Sequence, residues 1–80
     1  MRGASRALDR FEPTTALRLL NQHARDFAEG SLAGEREALR VSALCQLRRT
    51  AEANALRHEL AADLAHSPLR ARIEHDCASD

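Results

Sequence analysis

The sequence predicts an all-α domain built from antiparallel helix hairpins. Three observations carry this. Ala, Leu, Arg and Glu, all good helix formers, make up most of the chain. β-Branched residues are scarce, Val41 and Ile73 being the single Val and Ile, so a sheet has little to build on. Capping and breaking residues recur along the chain as they do between helices. With 80 residues the chain is one domain, spanning 1–80. A chain this short buries a smaller share of its surface than a longer one, and much of its apolar content is Ala, so a thin core is expected.

A short first helix is predicted over residues 3–10. Pro13 suits the first turn of the next, residues 13–27, because a missing N–H costs nothing there. In that helix Ala16, Leu20, His23, Ala24 and Phe27 share one side, and Arg18, Asn21, Gln22 and Arg25 the other. Gly30 and Ser31 break the chain, and Ser31 is expected to cap a helix over 32–47. Its Ala38, Leu39, Val41, Ala43, Leu44, Cys45 and Leu47 spread almost around the axis, which makes it the central helix, covered from more than one side. Thr50 is expected to cap a helix over 51–64, where Ala53, Leu56, Leu60 and Leu64 form a narrower stripe. Ser67 and Pro68 open the last helix, 68–76, with Leu69, Ile73 and Cys77 at four-residue spacing. The prediction is four main helices and a short N-terminal one, joined by connections short enough to make neighbours antiparallel.

Charge sets limits on function. Twelve Lys and Arg residues, every one of them Arg, balance 12 acidic residues, so no global field draws in nucleic acid or an anionic membrane. The pair Arg48–Arg49 invites a phosphate-binding reading, but the segment after it, "AEANALRHELAADL", is acidic and Ala-rich on its exposed side and lacks stacking aromatics. At a corner between helices, Arg48 instead meets exposed carbonyls at the end of the central helix. No apolar run approaches membrane-spanning length, and the start "MRGASRALDR" lacks the apolar centre of a signal peptide, so a soluble, cytoplasmic protein is expected. Cys45 and Cys77 are too few and too distant for a disulfide framework. Cys45 is expected to behave as a small hydrophobe in its helix, and Cys77 to be exposed.

No catalytic constellation emerges. There is no G-x-S-x-G segment and no phosphate-cradling glycine loop. Glu35 and Glu37 fall in a first helical turn, where they favour the helix dipole. His23 has no ligand partner one turn away, and His75 with Cys77 would need two more converging ligands to hold zinc. No catalytic, cofactor-binding or metal-binding residue is expected, and the chain reads as a non-enzyme.

Shifting the chain by about 37 residues aligns "TTALRLLNQHARDFA" with "AEANALRHELAADLA", pairing Ala16 with Ala53, Leu19 with Leu56, Ala24 with Ala61, Phe27 with Leu64 and Ala28 with Ala65. Small residues recur where helices would approach closely and large ones where they would fill the groove. In these features "ALRLLNQHARDFAEGSLAGEREALRVSALCQLRRTAEANAL" with the later "SPLRARI" resembles tetratricopeptide (TPR) repeats, of the kind found in C-terminal regions of bacterial envelope and regulatory proteins. The resemblance implies a short solenoid of stacked hairpins, with repeats over 7–28 and 33–65 and a final helix over 68–76, used for protein–protein contact. Arg48 stands where that family places Gly, and fewer than three full repeats are present, so self-association or a larger parent chain is expected. The expected function is an interaction or assembly module whose partner is a protein or a second copy. The expected contact residues are Leu8 and Phe11 at one end and Leu69 and Ile73 at the other. The alternative is a small helical regulator that binds nucleic acid through its Arg residues.

Overall fold

The computed structural model describes residues 2–27 and 33–78, and among them every regular element is a helix. The helices are α1 (Arg2–Asp9), α2 (Pro13–Asp26), α3 (Ala33–Gln46), α4 (Thr50–Glu59), α5 (Ala61–Leu64) and α6 (Arg70–Cys77). The predicted Gly30–Ser31 break and the Ser31 cap lie outside the described residues.

Proline opens α2 as expected, and that helix buries Ala16 and Leu20. These two meet Ala4, Ala7 and Leu8 of α1 and Leu39 and Ala43 of α3 in a first core cluster. Four of the seven are Ala, which lets the helix axes come close while three Leu side chains fill the space between them. A second cluster forms on the other side of α3, from Ala38 and Val41 with Ile73 of α6. Leu56, Leu60 and Leu64 pack against it. The central role read for this helix is what the structure has: α3 packs against α1, α2, α4 and α6. Its Ala38, Leu39, Val41, Ser42, Ala43 and Leu44 are all buried.

Two corners share one backbone device. After α3, the Arg48 N–H donates to the Cys45 carbonyl (3.0 Å) and the Arg49 N–H to the Leu44 carbonyl (2.9 Å). Arg48 has a left-handed φ of 62°. After α1, the Phe11 N–H donates to the Leu8 carbonyl (3.0 Å) and the Glu12 N–H to the Ala7 carbonyl (2.8 Å), with Phe11 at φ 56°. Both are Schellman closures, which satisfy the last carbonyls of a helix and turn the chain sharply. Both place a non-glycine residue where glycine is the usual occupant.

Three predicted boundaries change. The expected continuous helix over 51–64 is broken at Leu60, whose φ of −98° and ψ of 9° end α4 and start α5. Leu56, Leu60 and Leu64 reach the second cluster from the two sides of this bend. Thr50 does not cap: it is the first residue of α4, and Arg49 at the cap makes no side-chain capping bond. The Arg49 side chain instead grips Glu52 through Nε–Oε1 (3.0 Å) and Nη2–Oε2 (2.7 Å), spanning the first turn. Ser67 does bind the following backbone, accepting at Oγ from the Leu69 N–H (3.1 Å), but α6 begins only at Arg70.

The largest correction concerns the cysteines. Cys45 and Cys77 are joined in a disulfide across 32 residues. Distance along the chain gave no hint of it because α6 packs back on α3 and brings the last turns of the two helices together. Cys77 is accordingly half-buried and bonded, not an exposed free thiol.

Candidate functional site

The four residues expected to form a contact surface have different fates. Leu8 is 1% exposed and belongs to the first core cluster, and Ile73 is 2% exposed and centres the second. Neither offers surface to a partner, because α1 and α6, read as terminal helices with open faces, are folded against α3. Leu69 is half-buried and touches both clusters, so it joins the two halves of the core. Phe11 alone is open, at 71% exposure.

The Schellman corner accounts for the position of Phe11. The chain must turn between α1 and α2 within three residues, 10–12, and Phe11 takes the left-handed conformation that the turn requires. Its ring projects from the corner into solvent. Among the described residues the other large exposed apolar side chain, Phe27, lies past the far end of α2. Phe27 was expected on the apolar face of that helix, but the helix ends one residue earlier and the ring packs beside His23 with centroids 5.1 Å apart. Arg36 holds this end together. It is buried, donates from Nη1 to the Phe27 carbonyl (3.2 Å) and from Nε to Glu37 Oε2 (3.2 Å), and lies 3.4 Å from His23 Nδ1. His23 is thus part of a helix-end contact.

A polar seam joins α1, α3 and α6. Gln46 Nε2 donates to the Leu8 carbonyl (3.0 Å) and lies 3.4 Å from Asp76 Oδ1. Arg72 pairs with Asp9 and stands 3.9 Å from Asp76 Oδ2. Asp76 is 8% exposed, yet its Oδ2 accepts no hydrogen bond among the described residues, and neither do Gln46 Oε1 and Ser42 Oγ. Nothing in the sequence marked Asp76 or Arg36 as buried. Each sits in a run of alternating charge that reads as a solvated face.

The remaining surface is mixed. Arg40 pairs with Glu37 and donates to Asn21 Oδ1 (2.7 Å), and Arg70 pairs with Glu74. With Arg36, Arg49 and Arg72 also paired, these guanidinium groups neutralise local acid and leave no concentrated basic face there. A shallow groove between α4–α5 and α6 is lined by Ala61, Leu64 and Ile73 together with Arg57, His58 and Glu74. No group of three or more His, Cys, Asp or Glu residues placed to hold a metal ion occurs among the described residues. No helix among them is long and apolar enough to cross a membrane. Comparison with protein-family models, with curated proteins and with solved structures gives no match for this chain.

Proposed function

We propose that the chain is a protein–protein interaction or assembly module, of TPR-like hairpin type, that makes contact through the α1–α2 corner. The observation that carries this reading is Phe11: a large aromatic side chain, mostly exposed, on a backbone conformation that disfavours it. A left-handed residue other than Gly costs about 1–2 kcal/mol, and an exposed ring offsets little of that by burial inside the chain. The Schellman hydrogen bonds account for the backbone, as they do at Arg48, but a ring left in solvent at the corner has no use inside the chain and supports a contact made outside the molecule. The first partner to test is a second copy. The successive packing of α1 on α2, α2 on α3 and α3 on α4 supports the hairpin reading. The paired arginines make the nucleic-acid alternative the weaker one.

In a cytoplasmic setting, which this reading assumes, a bonded cysteine pair is transient or redox-sensing more often than permanent. Light scattering across the micromolar range should give a mass above that of the 8.8 kDa monomer. Phe11→Asn should return it towards the monomer without lowering the melting temperature, because Asn tolerates the left-handed conformation. A monomeric wild type, or a variant that assembles unchanged, would remove Phe11 from the role.

A further inference from the structure

We infer that the Cys45–Cys77 pair is a redox-operated latch on α6: oxidised, it clamps α6 onto α3, and reduced, it releases α6 and uncovers the apolar face beneath. The inference is independent of the contact proposed for Phe11. It rests on what holds α6 in place. That helix has eight residues, too few to be stable alone in water. Its buried residues are Ile73 and Asp76, so one large apolar side chain anchors the whole element. Its N-cap, Leu69, makes no side-chain capping bond. The polar ties beside Ile73 are weak: Arg72 pairs with Asp9 of α1, but Asp9 is exposed and the ion pair is open to solvent. Gln46 reaches Asp76 at 3.4 Å, and Asp76 Oδ2 and Gln46 Oε1 stay without a donor among the described residues at a site largely closed to water. Burying such acceptors without hydrogen bonds opposes docking. The covalent bond is therefore the strongest link between α6 and the rest of the chain.

The position of the bond selects what it controls. The loop closed by the disulfide contains α4, α5 and α6. The first core cluster, Ala4, Ala7, Leu8, Ala16, Leu20, Leu39 and Ala43, is built wholly from residues outside that loop. Opening the bond leaves those contacts intact. What α6 covers is the second cluster: Ala38 and Val41, with Leu56, Leu60 and Leu64 around them. Release exposes a continuous apolar face on α3 and α4 and removes the α6 wall of the groove beside it. Both cysteines are half-buried, so a small thiolate can reach the bond.

The chemistry is thiol–disulfide exchange with a dithiol reductant. Its thiolate attacks one sulfur of the Cys45–Cys77 bond and forms a mixed disulfide, releasing the other cysteine as a thiolate that takes up a proton. The second thiol of the reductant then closes its own ring disulfide and frees the remaining cysteine. Two electrons and two protons pass from the dithiol to Cys45 and Cys77. The chain contains two cysteines, so any effect of the reductant traces to this pair.

Hydrogen exchange on the full chain, followed by mass spectrometry with and without dithiothreitol, tests the latch. Reduction should raise exchange in residues 69–78 by at least about tenfold while protection in α1, α2 and α3 persists, the pattern of a sub-global opening. An apolar fluorescent dye should bind the reduced chain and leave on reoxidation. The Cys45→Ser, Cys77→Ser double variant should behave as the reduced chain and ignore the reductant. Protection of α6 unchanged on reduction would overturn the inference. Simultaneous loss of protection in α1–α3 would do so as well, because the bond would then be a staple for the whole fold.

Discussion

At Arg48 the sequence posed a choice between a phosphate grip and a helix corner. The structure has the corner, in the left-handed conformation, with both Schellman hydrogen bonds made. Arg48 is exposed, so its side chain gains little by burial, and removing the Cβ relieves the strained backbone. Arg48→Gly should therefore raise stability by about 1 kcal/mol, read as a higher urea midpoint at constant slope. A lower midpoint would mean that contacts of the Arg48 side chain outweigh the strain. The charge and position of Arg48 were legible in the sequence, whereas the second corner was not. Phe11 was read as an apolar contact residue, and nothing about a Phe announces φ above zero. Cys45 and Cys77 stayed unreadable as a pair for a different reason: local spacing cannot report which helix ends meet in space. Leu8 and Ile73 misled because apolar residues near chain ends look available until the end helices fold inward.

At the scale of elements, the pattern of apolar residues was most informative where it was densest. Apolar positions nearly all around α3 required cover on several sides, and α1, α2, α4 and α6 supply it. Leu39, 2% exposed, points from α3 into the first cluster between α1 and α2. Leu39→Ala should cost about 2–5 kcal/mol, the range for a cavity left among side chains that cannot fully collapse. Thermal unfolding followed by circular dichroism would show the loss, and an unchanged midpoint would move the core elsewhere. The break between α4 and α5 was invisible because Leu56, Leu60 and Leu64 keep one helical stripe across it. The bend is a backbone event at Leu60, with no Gly or Pro to signal it. The last helix shows the opposite mismatch. Ser67 and Pro68 are a strong start signal, yet the turn they make is spent before α6 begins at Arg70.

For the whole molecule, the arrangement of the core matters more than its size. Two clusters share α3, one with α1 and α2 and the other with α4, α5 and α6, and Leu69 touches both. The first is made of seven closely packed, buried Ala and Leu side chains from the three successive helices α1, α2 and α3. The second depends on Ile73 arriving from the far end of the chain. It has three buried side chains against seven in the first, and its Leu residues are only partly buried, so the second half should open at lower free energy than the first. Leu20→Ala and Ile73→Ala should therefore differ in kind. Leu20 is fully buried among α1, α2 and α3, and its truncation removes support common to every unfolding route. Exchange should then rise throughout the chain. Ile73→Ala, in the oxidised protein, should accelerate exchange over residues 50–78 and leave α1 and α2 protected, with Leu69 marking the boundary between the two responses. Equal acceleration in both halves for both variants would show one cooperative unit, and α3 would then transmit every local loss to the entire fold.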